Sequence, residues 1–450
     1  MDTATSSERK QRRLARPTPA QARFAFIILL IINILNYTDR SILAAVQVTI
    51  QHDFHLTDVE LGLLNSSFLF IYGLATLPIG IWADRGIRKN IVAACVGIWS
   101  VATALSGLTH NFIQLFLTRS ILGIGEAGYA PASVSLIGDY FNKERRGFML
   151  SVWSVGNLIG TALGLIMGGI LAEALGWRWV FYIVGLPGLL AAFFIWRAVE
   201  PKRGAFDVEG EDEGDDGAAA AHGSIGGNIL QVVRQLSKTP TYWVLVAAFI
   251  CSFFIIGAAL SWIPTFLHRE FQLSVARAGT VSGGVLAGGS LVGTLIGGWL
   301  ADFLQRRLPQ GRMIITAVAF LAGAPLTWIA MNMHSLSAFI AVFALAIVCL
   351  SLCLGPIQAI IQDITVPNIR STAVGLALLL GHLLGDAASP LIVGAISDST
   401  NSLGFALQIT GPTCLLLAGL ICLIGVKTVA GDIQRAHRRV NRRDEESSTR

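Results

Sequence analysis

The stretch GIWADRGIRK, residues 80–89, returns in altered form as GWLADFLQRR at residues 298–307. Each copy has a glycine, an aspartate four positions later and then basic residues. These are Gly80, Asp84, Arg85 and Arg88 in one, and Gly298, Asp302, Arg306 and Arg307 in the other. Each follows a long apolar run. A second echo stands nearby. DYFNKERRG at 139–147 sets Asp139 and Arg146 seven apart, and DITVPNIR at 363–370 repeats the spacing with Asp363 and Arg370. Two echoes at nearly one offset predict a duplicated unit.

The apolar runs say what is duplicated. The chain has 450 residues, 53% hydrophobic and 14% charged, with mean hydropathy +0.64. About 20 apolar residues cross a bilayer as a helix, and a helix satisfies its own backbone in lipid. Twelve such stretches lie near 24–47, 60–82, 91–109, 112–137, 148–173, 179–198, 241–266, 279–301, 313–331, 336–362, 371–396 and 404–427. The expected fold is an all-α membrane protein, with twelve transmembrane helices in two pseudo-symmetric six-helix bundles. Gly156, Gly160, Gly164 and Gly168 recur every fourth residue, a small-residue seam for close helix packing.

Charge sets the topology. Basic residues gather in the tail at 1–23, at 85–89, 143–146, 202–203 and 306–312, and in the tail at 428–450. The alternate loops hold only Arg178, Arg269 and Arg277. By the positive-inside rule both termini are cytoplasmic, and the expected home is the plasma (inner) membrane. Residues 199–240, with the acidic run DVEGEDEGDDGAAAAHGS, read as a flexible cytoplasmic linker between a bundle at 24–198 and one at 241–427. The first apolar stretch is too long for a cleaved signal peptide and lacks a clear cleavage site.

Several function classes drop out. The net charge of +5 is spread as topology signals, so nucleic acid is not an expected partner. The six cysteines fall in apolar stretches without a companion histidine set, so no metal and no disulfide framework are expected. No HExxH, Walker loop or GxSxG elbow occurs, which speaks against an enzyme and against a cofactor.

The chemistry lies in charges placed where lipid would be expected. NYTDR, residues 36–40, puts Asp39 and Arg40 inside the first apolar stretch. A charge at mid-bilayer costs about 2.5–3.5 kcal/mol on insertion scales, so such residues are functional candidates. The fourth stretch carries Arg119 and Glu126, and the eleventh carries His382 and Asp386. At about 1.5 Å rise per residue, Asp39 and Arg119 come to comparable depth on antiparallel helices. Asn33, Asn36, Tyr37 and Arg40 follow i, i+3, i+4, i+7, a polar stripe expected to face a cavity. Asp39 and Arg40 point about 100° apart, so each needs its own partner. The expected pairing is Asp39 with Arg119, with Glu126 nearby as a second acid. Two acids sharing one or two arginines can exchange a proton. The rival reading is a static ion network that only holds the helices together. His382, Asp386 and Ser389 lie one above the other, either as an inner polar face or as a structural pair.

GIWADRGIRK resembles the cytoplasmic loop between the second and third helices of the major facilitator superfamily of transporters. That resemblance implies that Asp84, Arg85, Arg88, Asp302, Arg306 and Arg307 serve the conformational switch, and the same role extends to Asp139, Arg146, Asp363 and Arg370. Phe303 departs from the pattern, where the first copy has Arg85. NYTDR, RSILGIGEAGYAP…GDYF and GDAASPLIVGAISD together resemble the Spinster branch. The match spans nearly all the membrane portion. It implies alternating access, Asp39 and Glu126 as proton-coupling acids, and Arg40 and Arg119 as their partners and the seat of a substrate head group. It also implies lysophospholipid or a related amphiphile as substrate. Organic-anion symporters of the superfamily carry a similar first segment, so a sugar acid or carboxylate is the alternative. A non-transporting receptor or scaffold is the alternative of another class. A monomer is expected.

Overall fold

A computed structural model describes residues 17–204, 233–366 and 369–448. Most of the acidic linker and part of both tails fall outside the described residues, as do the side chains of Asp84 and Arg85. Described residues divide between two compact units, Met1–Asp212 with Leu273–Gly283, and Glu213–Gln272 with Gly284–Arg450.

Seven helices follow one another in the first part of the chain: α1 (Pro19–Phe54), α2 (Asp58–Arg85), α3 (Arg88–Ser106), α4 (Phe112–Glu126), α5 (Tyr129–Tyr140), α6 (Lys143–Leu175) and α7 (Trp177–Arg197). Local chemistry fixes their starts. Thr18 and Thr57 close capping boxes with Gln21 and Glu60, and Asn111 and Asn142 accept from the backbone of Gln114 and Arg145. Helix α1 runs 36 residues, about 54 Å at 1.5 Å per residue, well beyond the hydrocarbon thickness.

The second part continues with α8 (Pro240–Phe271), α9 (Val275–Gln305), α10 (Gly311–Met331), α11 (Leu336–Ser351), α12 (Leu354–Ile364), α13 (Arg370–Gly381), a π turn at His382–Asp386, α14 (Ser389–Thr400) and α15 (Leu403–Ser448). The duplication is visible at atomic detail. Helices α1 and α8 both open on a Thr-Pro pair and both end on a left-handed residue, His55 at φ 54° and Gln272 at φ 52°.

Among the described residues, eleven segments are long and apolar enough to cross a membrane. The fourth apolar stretch makes the twelfth crossing in two pieces. It breaks at Ala127–Gly128 between α4 and α5, and the tenth breaks at Leu352–Cys353 between α11 and α12. Each break lies just ahead of a proline, Pro131 and Pro356. A proline ring clashes with the carbonyl four residues back, here Ala127 and Leu352, and offers no N–H.

The glycine seam of α6 packs on α1. A Cβ on Gly164 would come 2.5 Å from the carbonyl oxygen of Thr38, and one on Gly156 would come 2.9 Å from Asn33 Nδ2. Around it the core of the first unit gathers Trp99, Tyr129 and Trp153, with Tyr129 edge-on to Trp99 at 5.1 Å. The second unit has its own core, built on Tyr242, Phe249 and Phe320.

Candidate functional site

The charged residues of the first two polar stretches meet inside the first unit as two separate pairs. Arg119 Nη1 lies 3.5 Å from Asp39 Oδ1, and Arg40 Nε lies 2.7 Å from Glu126 Oε2. Asp39, Arg119 and Glu126 are at most 1% exposed. The arrangement settles a point that the sequence left open. Glu126 does not share Arg119. It is the last residue of α4, where the helix breaks, and its carboxylate is held across to Arg40 on α1. Asp39 and Arg40, pointing apart on α1, thus take different partners.

Each pair has further polar support. Thr103 of α3 donates its hydroxyl to Asp39 Oδ2. Arg119 Nε is buried without an acceptor, and the Arg119 guanidinium stands 5.9 Å over the Phe68 ring. An orphan donor on a buried cation is costly, and it marks a place where a further oxygen ligand would be welcome. Arg40 keeps a side-chain exposure of 17% and sits among three rings, Tyr37 and Phe68 at 5.1 Å and Tyr72 at 4.8 Å.

The polar stripe of α1 is not one open face. Asn33 donates to the Trp153 carbonyl at 2.7 Å and to Asn157 Oδ1 at 2.6 Å, and accepts from the Tyr129 hydroxyl. It is locked between α1, α5 and α6, in the room that Gly156 leaves. Asn36 is fully buried beside Glu126. Tyr37 is half-buried against Arg40.

His382 and Asp386 pair at 2.8 Å between Nδ1 and Oδ2, but in a π turn rather than an α-helical one. Pro390, four residues past Asp386, removes the next helical donor and widens the turn. The His382 ring packs on Phe253 at 4.3 Å, and Asp386 Oδ1 is buried without a partner. Ser389 donates to the Asp386 carbonyl at 3.3 Å.

The loop residues form an acid–arginine cluster in each unit. Arg88, 2% exposed, bonds Asp139 and also Glu200 at 2.9 Å. Glu200 accepts the Lys89 amide at 3.0 Å, capping α3. In the second unit the same place is taken by Arg312, 2.7 Å from Asp302 and 2.6 Å from Asp363. Sequence reading missed Arg312 and Glu200, and favoured Arg306 and Arg307. Those two lie exposed past the end of α9, where Arg307 covers the Phe303 ring at 4.5 Å. Arg312 instead opens α10 and reaches back. Arg146 lies against Gly138. Arg370 donates to the Gln362 carbonyl at 2.9 Å, tying off α12.

Comparison with known proteins fits this frame. Residues 29–390 match the Major Facilitator Superfamily. The chain is 30% identical to protein spinster of Drosophila melanogaster over 389 residues, which is 84% of this chain and 62% of that one. It is 30% identical over 441 residues to the sphingosine-1-phosphate transporter SPNS2 of Danio rerio, covering 91% and 85% of the two chains. An MFS-type efflux pump of Mycolicibacterium smegmatis is also 30% identical, with 91% and 92% covered. Among solved structures, a bacterial homolog of the human lysosomal transporter Spinster, in an inward-facing and unoccupied conformation, superposes with a TM-score of 0.78 at 25% identity. That match covers 94% of this chain and 99% of the other. The chain is an integral, multi-pass membrane protein and belongs to the Spinster family of Major Facilitator Superfamily transporters.

Proposed function

We propose that this chain is a proton-linked secondary transporter working by alternating access, with a lysophospholipid or related amphiphile as its substrate. The observation that carries the reading is the double acid–arginine contact buried in one bundle, Asp39 with Arg119 and Glu126 with Arg40. With its carboxyl ionised, each pair is neutral. A proton on either carboxyl leaves its arginine with an unbalanced charge in a place that tolerates none. An anionic head group restores the balance, so proton and anion favour each other's binding, and the coupling is reciprocal. Asp39 and Glu126 are the proton sites; Arg40 and Arg119 receive the head group. The buried Arg119 Nε without an acceptor supports this assignment. An amphiphile is favoured by the similarity to a sphingosine-1-phosphate transporter.

Asp84, Arg85, Arg88, Asp139 and Arg146, with Asp302, Arg306, Arg307, Asp363 and Arg370, serve the conformational switch in this reading, joined by Arg312 and Glu200. Asn33, Asn36, Tyr37, His382 and Asp386 are its polar supports. The protein works as a monomer in the plasma (inner) membrane with both termini and the 199–240 linker cytoplasmic.

Flux in proteoliposomes tests it. A fluorescent lysophospholipid should move faster under an imposed proton gradient than without one, and Asp39→Asn should abolish the difference. Gradient-independent flux, or a thermal shift produced by sugar acids and not by lysolipids, would reject the reading.

A further inference from the structure

Arg40 has two kinds of partner, and Glu126 is only one of them. Its guanidinium carbon stands 5.1 Å from the Tyr37 ring, 5.1 Å from Phe68 and 4.8 Å from Tyr72, all within cation–π range. Such contacts strengthen when the cation is withdrawn from water. The rings come from two helices. Tyr37 lies on α1, three residues before Arg40, while Phe68 and Tyr72 lie one turn apart on α2.

Close helix approach brings the second pair into reach. A Cβ on Gly123 of α4 would stand 2.6 Å from the Phe68 carbonyl oxygen and 3.1 Å from the Tyr72 amide nitrogen. Glycine at 123 therefore lets α2 press onto α4, three residues before Glu126. Any side chain there would push both rings back.

We propose that Tyr37, Phe68 and Tyr72 are positioning residues that seat the Arg40 guanidinium independently of Glu126, keeping it aimed when the carboxyl is protonated and ready for an anionic head group. The inference rests on the proton-coupled reading of Glu126 given above. Without the rings, protonating Glu126 would strand a poorly solvated cation, and Arg40 would hold the carboxyl in its ionised form. With them, the cation keeps a favourable environment in both protonation states. The charged and titratable groups around the pair are Asp39 and Tyr37 from α1, Tyr72 from α2, Arg119 from α4 and Tyr129 from α5, with Asn36 beside Glu126.

The sign follows. Removing a ring makes Arg40 depend more on ionised Glu126, so protonation requires more acid. In full-length protein, labels on the two halves report the conformational response against pH. Tyr72→Leu should move the midpoint acid by about half a pH unit, and Gly123→Ala should move it the same way. Tyr72→Phe keeps the ring face and should leave the midpoint where wild type has it. Affinity for lysophosphatidylglycerol, whose phosphodiester charge is constant over the range, should fall about threefold in Tyr72→Leu at a fixed pH. If that variant does not fold, Tyr37→Leu carries the same test. An unchanged midpoint in both leucine variants, beside a wild type that responds to pH, overturns the seat alone. A wild type with no pH response overturns the proton-coupled reading and the seat together. A midpoint that moves equally in Tyr72→Phe also overturns it, because the hydroxyl rather than the ring would then be responsible.

Discussion

Glu126 meets Arg40 at 2.7 Å, across from another helix, although Arg119 lies two turns earlier on its own. The cross-connection divides the four charges into two units that titrate against different arginines, and it separates the consequences of single substitutions.

Glu126→Gln should remove one pH-dependent step and leave the other. Glutamine mimics the protonated acid, so Arg40 is permanently in its low-pH condition. In wild type, affinity for an anionic lysolipid should rise as pH falls. In Glu126→Gln it should already be high at neutral pH and change less on acidification. Binding measured across the range checks this. A pH dependence that survives intact in both Glu126→Gln and Asp39→Asn would leave the acids only structural.

Arg119→Ala should be among the most damaging changes, because it strands a buried Asp39. Breaking a buried pair costs about 3–5 kcal/mol. Thr103→Val removes one neutral donor to the same carboxylate and should cost about 1–3 kcal/mol. Asp39→Asn placed on Arg119→Ala should recover part of the loss. Thermal unfolding of the purified single and double variants measures the cycle.

Arg312→Ala and Arg88→Ala should behave alike. Each empties an acid–arginine cluster at a helix start, one beside Asp302 and Asp363, the other beside Asp139 and Glu200. Conformational cycling should slow in both, as in Asp84→Ala, while ligand affinity stays near wild type. Turnover measured alongside binding distinguishes this from a loss of affinity at normal turnover, the contrary result.

A cysteine placed in the acidic run at 207–224 should resist membrane-impermeant labelling in intact cells and react after permeabilisation. Ready labelling from outside would reverse the assigned orientation.

Much of the fold was legible because membrane helices advertise themselves by length and hydropathy, and because the chain repeats. The repeat also contained what was missed. Arg312 and Asp363 stand 224 positions after Arg88 and Asp139 (88 to 312, 139 to 363), so stepping that offset from Arg88 points to Arg312 rather than to Arg306. The breaks were half legible. Pro131 and Pro356 lie one turn past the breaks at Ala127 and Leu352, but Pro78, Pro187, Pro264, Pro325 and Pro412 sit inside helices that run on unbroken, so a proline in the sequence does not by itself mark a break. The pairing of Asp39 with Arg119 followed from depth along antiparallel helices. Rotation about the helix axis was harder, because a small error in facing exchanges one arginine for the other, and so the sequence left open whether Glu126 shares Arg119 or takes Arg40. Thr103, Tyr129 and Asn157 gave no signal at all. A single hydroxyl or amide in an apolar run looks the same whether it bonds its own backbone or reaches a neighbour.

The two interrupted helices carry one more implication. Counting back from each proline, the residue just before the interruption is Glu126 in the first copy and Ser351 in the second. The architecture was copied and the acid was not. The chain therefore contains its own control experiment. One half presents a titratable group at the weak point of a broken helix, and the other presents the same weak point with a hydroxyl. Grafting Ser351→Glu would ask whether that location alone makes an acid responsive, or whether it also needs a cation such as Arg40 waiting opposite.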